Sequence, residues 1–150
     1  MRYLVTGATG FIGKRLVRKL LARPGAEVAF LVRDPAPERM AKLADYWGVD
    51  VRSLKPVKGD LTKPDCGVPA AAIKSLGKID HMFHLAAIYD LAADPKEEME
   101  TNIEGTRNAV SLAAKVKAGC FHHVSSIAAA GLYNGVFRED MFDEAEHLEH

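Results

Sequence analysis

Cysteine is scarce in this chain of 150 residues: Cys66 and Cys120 are the only two. Their spacing fits neither a metal knuckle nor a disulfide framework, so they read as free thiols of a cytoplasmic protein. Net charge is missing as well. Twenty Lys and Arg cancel twenty Asp and Glu, which gives no basic surface for a polyanion, so nucleic acid is not an expected partner. Long hydrophobic runs are also lacking. The longest, such as "IAAAGLY" from Ile127, falls far short of a bilayer span. The opening "MRYLV" enters a strand-like pattern without a signal-type apolar region, so no membrane partner is expected. Internal repeats and low-complexity tracts are absent. The whole chain, 48% hydrophobic and 27% charged, has the composition of a globular domain with a sizeable core.

Strand-like and helical patterns alternate along the chain, the signature of a parallel α/β sheet. "YLVT" from Tyr3 reads as a first strand. A helix follows with Ile12, Leu16, Val17, Leu20 and Leu21 on one stripe. Residues Glu27 to Val32 form an apolar run suited to a strand covered on both faces. "PAPERMAKLADYWG" reads as a helix that Gly48 stops. "VDVRSLKPVKGD" reads as a third strand, and Pro56 within it favours a sheet edge, because proline cannot donate to a ladder. A short helix near "AAAIKSLG" and a strand in "DHMFHLAA" come next. Asp94 as N-cap, Pro95 at the first helical position and Glu97 closing a capping box predict a long helix to about Val116, with Gly119 as terminator. "CFHHVSS" is the fifth strand. The expected fold is a Rossmann-like, doubly wound parallel sheet in the order 3-2-1-4-5.

The turn after the first strand carries three glycines three residues apart, Gly7, Gly10 and Gly13, in "TGATGFIG". Each has a separate use in dinucleotide binding. Gly7 permits a tight turn, Gly10 lets a pyrophosphate approach the backbone, and Gly13 allows the helix to pack closely on the sheet. Unpaired amides at the helix start, aided by the helix dipole, then hold the phosphates. A purely structural connection would not need glycine at all three positions.

That stretch resembles the cofactor loop of the extended short-chain dehydrogenase/reductase superfamily. Four later motifs resemble the family's in order: "GDL" from Gly59, "HLAA" from His84, "TNIEGTRN" from Thr101 and "VSS" from Val124. The resemblance spans residues 1 to about 131 and implies a nicotinamide dinucleotide partner. The implied cofactor-binding residues are Gly7, Thr9, Gly10, Phe11, Ile12 and Gly13 in the loop, Asp60 and Leu61 beside the adenine, and Leu85, Ala86, Ala87 and Ser125 along the remaining strand ends. It also implies Ser126 as the serine that orients a carbonyl oxygen and Asn102 as a proton-relaying asparagine. Members of the superfamily often dimerise through helices, so a homodimer through the helix that starts at Asp94 is one arrangement the resemblance allows.

The residue that grips the adenosine ribose is expected about 20 residues beyond the glycines, where Arg33 stands in "FLVRDP". A guanidinium there suits a 2′-phosphate, so the expected cofactor is NADP(H), with NAD(H) as the alternative. Asp34 is next in line, and alternation along a strand turns only one of the two toward the ribose. Asp34 also fits a turn before Pro35.

The superfamily's Tyr-x-x-x-Lys pair is missing. Tyr133 has Phe137 four residues on, and Tyr3, Tyr46 and Tyr89 also lack the pattern. The expectation is therefore a Rossmann domain over residues 1–131, followed by a loop or tail over 132–150 that leads toward a catalytic helix and substrate-binding part of a longer reductase. This piece alone is expected to be inactive. The parent function implied is hydride transfer to a small carbonyl substrate: an acyl thioester, aldehyde or ketone. The alternatives are an NAD-dependent nucleotide-sugar epimerase or dehydratase, and a non-catalytic NADP(H)-binding regulator. Tyr89 and Asp90 stand either at the start of a substrate pocket or in a plain surface loop. No metal is expected, because His122 and His123, and likewise His81 and His84, diverge from one another on their strands. No chemistry is assigned to the tail from His147 to His150.

Overall fold

The structure is a computed structural model that describes residues 1–87, 100–126 and 135–141. Asp94, Pro95, Glu97, Tyr89, Asp90, Tyr133 and the tail from His147 lie outside the described residues.

Five strands form one parallel sheet in the order β3-β2-β1-β4-β5, as the alternation of patterns implies. They are β1 (Arg2–Thr6), β2 (Glu27–Val32), β3 (Lys55–Lys58), β4 (His81–His84) and β5 (Cys120–His123). The helices are α1 (Phe11–Leu21), α2 (Pro37–Trp47), α3 (Ala70–Leu76) and α4 (Gly105–Lys115). Among the described residues, no helix is long and apolar enough to cross a membrane.

Two cores lie on the two sheet faces, because successive strand residues point to opposite sides. Tyr3, Val5, Val28, Phe30 and Val32 pack with Val17 and Leu20 of α1 and Met40, Leu43 and Trp47 of α2. Leu4, Ala29, Leu31 and Met82 pack on the other face with Ala109, Leu112 and Val116. Trp47 meets Phe30 edge-on at 5.2 Å and donates its indole N–H to the Lys14 carbonyl at 3.0 Å, tying α2 to α1.

Four details depart from the sequence reading. Ile12 does not join the buried stripe of α1; it is 59% exposed. The inward row is Gly13, Val17 and Leu20, and Ile12, in the first turn, lies off that row. The third strand is shorter than expected, since Val51–Ser53 is a 3₁₀ turn whose Arg52 amide donates to the Asp50 carboxylate. Only Lys55–Lys58 pairs with β2, and Pro56 sits on the open edge as expected.

The long fourth helix is not uniformly α-helical either. Residues Glu100–Glu104 form a π-helical turn before α4 begins. There Thr106 Oγ1 donates to the Asn102 carbonyl, supplying a side-chain partner in place of the regular ladder. Gly119 does not end α4. Lys117 takes the left-handed conformation, φ 50°, and the amides of Lys117 and Ala118 return to the carbonyls of Ala114 and Ala113. A Cβ at Gly119 would fall 2.9 Å from the Asp80 carbonyl oxygen, so this glycine permits the close start of β5 beside β4.

Gly13 is the tightest position on the sheet's upper rim. A Cβ there would lie 2.0 Å from the Gly7 carbonyl oxygen and 2.8 Å from its carbon. Both are backbone atoms, so a rotamer change cannot relieve the clash. Gly13→Ala is therefore expected to destabilise the fold by about 3 kcal/mol through overpacking, read from urea unfolding midpoints. An unchanged midpoint would refute this account of the helix seat.

Candidate functional site

The strand order reverses between β1 and β4, and at that switch point the carboxyl ends of the strands open a cleft of about 570 Å³. One wall is the loop after β1, with Thr6, Gly7, Thr9 and Gly10; a second is Leu85, Ala86 and Ala87 beyond β4. Val32, Arg33 and Arg39 close one side, with Asp60, Leu61 and Thr62 beside them. Gly7, Thr9, Gly10, Arg33, Asp60, Leu61, Leu85, Ala86 and Ala87 thus come together from four separate stretches of chain. Phe11 and Ile12 do not line the cleft. They open α1 with side chains 74% and 59% exposed. Gly13 lies beneath the loop as its packing base. Ser125 and Ser126 follow β5 and are exposed. Asn102 lies in the π-helical turn.

The amino end of α1 faces the glycine loop without a local anion. Gly10 is its N-cap, no side chain caps it, and its first turn holds no acidic residue. A helix start in this state presents amides and the positive end of its dipole. Gly7 has φ +72°, and a Cβ on it would lie 2.7 Å from the Ala86 amide nitrogen. A Cβ at Gly10 meets only the Gly7 carbonyl oxygen, at 3.2 Å, and its other side is open. The loop is therefore a backbone cradle open toward the cleft.

Arg33 and Arg39 are exposed cations on the same cleft. Asp34 is not among the lining residues, and its backbone carbonyl accepts from Arg39 Nη1 at 3.3 Å. Arg39 was not foreseen from the sequence. Its signal lay in the helix following Arg33, where one turn returns a long side chain toward the strand end.

Asp60 shapes the adjoining turn. Its carboxylate accepts from the Thr62 amide at 3.1 Å and the Thr62 hydroxyl at 2.9 Å. The amide bond chiefly holds the carboxyl below its ordinary range. The Asp60 amide donates to the Cys66 carbonyl at 2.6 Å, across a run of three left-handed residues: Asp65, Cys66 and Gly67. Such strain persists only where surrounding contacts over-determine it. Those contacts come from α4, whose Ser111 hydroxyl donates to Asp65 at 2.8 Å and whose Lys115 pairs with the same carboxylate. Cys66 is fully buried, and burial pushes its thiol up to about 12, which leaves it unreactive.

A buried polar chain supports the cleft from below. Thr6 Oγ1 accepts from the amides of Leu85 and Ala86, each at 3.3 Å, and lies 2.7 Å from His84 Nδ1. With both lone pairs engaged, the Thr6 hydroxyl proton points to Nδ1, so the imidazole proton resides on Nε2. That nitrogen lies 3.2 Å from Thr106 Oγ1, whose own proton goes to the Asn102 carbonyl at 2.7 Å. The direction of every bond follows, and the chain requires a neutral ring. Burial, with the His123 ring adding to it, lowers the His84 pKa to about 4. Two further residues of the "GTRN" stretch hold the same floor. A Cβ at Gly105 would sit 3.3 Å from the Leu61 Cβ, and Asn108 Nδ2 donates to the Leu61 carbonyl at 2.8 Å. Thr6, Thr106 and Asn108 were not assigned roles from the sequence, although two of them stand in a motif noted there.

A glycine-lined helix start at the switch point of a parallel sheet defines a dinucleotide-binding domain of the reductase and epimerase type. The family profile of the male sterility protein, an NAD-binding group, matches residues 5–149, and the chain belongs to that family. It is 33% identical over 136 residues to the L-2-aminoadipate reductase large subunit of Penicillium chrysogenum, covering 83% of this chain and 10% of that protein. The terminal R domain from the myxalamid PKS-NRPS biosynthetic pathway superposes with a TM-score of 0.76 at 26% identity, over 90% of this chain and 37% of that one. UDP-glucuronic acid 4-epimerase from Bacillus cereus, solved with NAD, superposes with a TM-score of 0.71 at 27% identity, over 95% and 45%. The chain thus spans less than half the length of each.

The His84 chain has a pH signature. Its folded pKa, about 4, lies below the ordinary value of 6.5, so between those values the unfolded chain binds a proton that the folded chain does not. Stability is full above pH about 6.5, falls as pH drops toward 4, and levels off below, with a total loss of up to about 3 kcal/mol. Urea unfolding at stepped pH should show this slope in the wild type and a shallower one in His84→Asn. Equal slopes between pH 6.5 and 5 would contradict it.

Proposed function

We propose that this chain is the NADP(H)-binding part of an oxidoreductase that transfers hydride to a carbonyl carbon of an acyl thioester, aldehyde or ketone. The observation that carries the reading is the pair Arg33 and Arg39 on the cleft that the bare start of α1 also faces. The residues present fit the cofactor: the open side of Gly10 admits a diphosphate, and two guanidiniums suit a 2′-phosphate through paired N–H donors. A nicotinamide supplies the hydride when bound.

The chain's own residues divide the remaining work. Amides of the glycine loop and of Phe11, Ile12 and Gly13 hold the diphosphate. Asp60 and Leu61 border the adenine, while Leu85, Ala86, Ala87 and Ser125 line the path toward the reacting end. Ser126 orients the carbonyl oxygen, and Asn102 passes a proton through water. Residues 1–131 form the binding unit, and those beyond lead toward the substrate-binding part. The sequence has no Tyr-x-x-x-Lys, so the 150-residue chain is expected to bind nucleotide with little turnover. The likeness to the L-2-aminoadipate reductase large subunit favours reduction. The two free thiols fit a cytoplasmic location.

A second reading, an NAD-dependent nucleotide-sugar epimerase or dehydratase, draws support from the epimerase neighbour solved with NAD. Titration with NADPH and NADH separates the two. Removing a charge-assisted pair costs about 1.5–3 kcal/mol, roughly tenfold or more in affinity. NADPH is therefore expected to bind about tenfold tighter than NADH, and Arg33→Asp to abolish that preference. A ratio unmoved by Arg33→Asp would sink the NADP(H) assignment. Gly10→Val should weaken both nucleotides while far-UV circular dichroism stays unchanged. NADPH oxidation by the chain with an aldehyde would overturn the inactivity.

A further inference from the structure

We propose that His81, Cys120 and His122 form a binding site for a soft divalent cation of the Zn²⁺ type, at the end of the sheet opposite the nucleotide cleft. Parallel pairing builds the cluster. His81 and Cys120 open β4 and β5 and lie in register, while His122, two residues on, returns to the same face beside Phe83. One ligand atom of each residue lies within 4.8 Å of the other two. His81 Nδ1 is 3.0 Å from His122 Nε2, and Cys120 Sγ is 4.0 Å from His122 Nδ1. Zn–N bonds of about 2.0 Å and Zn–S bonds of about 2.3 Å in tetrahedral geometry set ligand atoms roughly 3.3–3.6 Å apart. These two contacts reach opposite nitrogens of the His122 ring, only one of which can bind the cation, so the site closes by side-chain rotations that draw together three ligand atoms already within 4.8 Å of one another.

The rings are already held. His122 stacks on Phe83 with centroids 4.3 Å apart and planes 10° from parallel, and His81 stacks on Tyr3 at 5.8 Å and 19°. Two imidazoles and a thiolate select Zn²⁺ or Co²⁺ over Mg²⁺ or Ca²⁺, which prefer oxygen ligands. Each imidazole donates a lone pair, and the Cys120 thiol loses its proton to solvent as the S–metal bond forms. Cys120 is exposed, so a cation has access. Among the described residues no fourth His, Cys, Asp or Glu joins the cluster, which leaves a position for water. Bound there, the cation would clamp β5 to β4.

The test is titration of the reduced, metal-free 150-residue chain with Co²⁺. Saturation at one equivalent is expected, with a thiolate-to-cobalt charge-transfer band that equimolar Zn²⁺ abolishes. Zn²⁺ should raise the melting temperature, and Mg²⁺ should not. Cys120→Ser should remove the band. His81→Ala and His122→Ala should each weaken Zn²⁺ binding at least about tenfold. His123→Ala, on the opposite face, and Cys66→Ser should bind as the wild type does. Absence of the band at one equivalent, its survival in Cys120→Ser, or equal weakening by His122→Ala and His123→Ala would each overturn the site. The exposed Cys120→Ser change should leave the fold intact, so that comparison decides the matter even if a histidine variant unfolds.

Discussion

Three backbones converge at the rim of this sheet, and glycine is what lets them meet. The Gly7 carbonyl oxygen occupies the space a side chain on Gly13 would need, and the Ala86 amide occupies that of a side chain on Gly7. The end of β1, the start of α1 and the segment after β4 are thereby pressed together within contact distance. Such close seating aims the helix's unpaired amides into the cleft rather than past it. Helix direction and cleft shape both follow from that one packing constraint.

Beyond that packing, the segment after β4 is held by the polar chain from Thr6 through His84 to Thr106. The chain joins β1, β4 and α4 through groups that are individually satisfied, with no buried side-chain nitrogen or oxygen lacking a partner among the described residues. A buried network of this kind rigidifies only while each member keeps its proton in place. The strained turn at Asp65–Gly67 is held by the same helix, through Ser111 and Lys115. α4 therefore acts as the back plate for two walls of the cleft.

Charge is distributed to match. The chain is neutral as a whole, yet the cleft collects Arg33 and Arg39 beside a helix start that bears no acid. Asp60, the nearest carboxylate on the lining, is engaged by Thr62. Attraction for an anion at this site is a local property that overall composition conceals. At the opposite end of the sheet, the histidines and cysteine of β4 and β5 form a second chemically distinct cluster.

The strands, their order and the edge position of β3 were legible because each rests on local chemistry: apolar runs, a glycine turn, a proline that cannot donate. Nine of the cleft residues, among them Gly10, Arg33 and Ala86, were legible through motifs at the ends of those strands. The exposure of Ile12, the left-handed Lys117 and the π-helical turn were not, since each depends on what a neighbouring element leaves room for. Arg39 beside Arg33, Thr6 against His84, and His81 against His122 across 41 residues of chain are contacts of the same kind. Sequence by itself determined which elements form and in what order they lie. Only the tertiary structure decided which side chains share a site, because strand register and helix seating set distances that no spacing along the chain encodes.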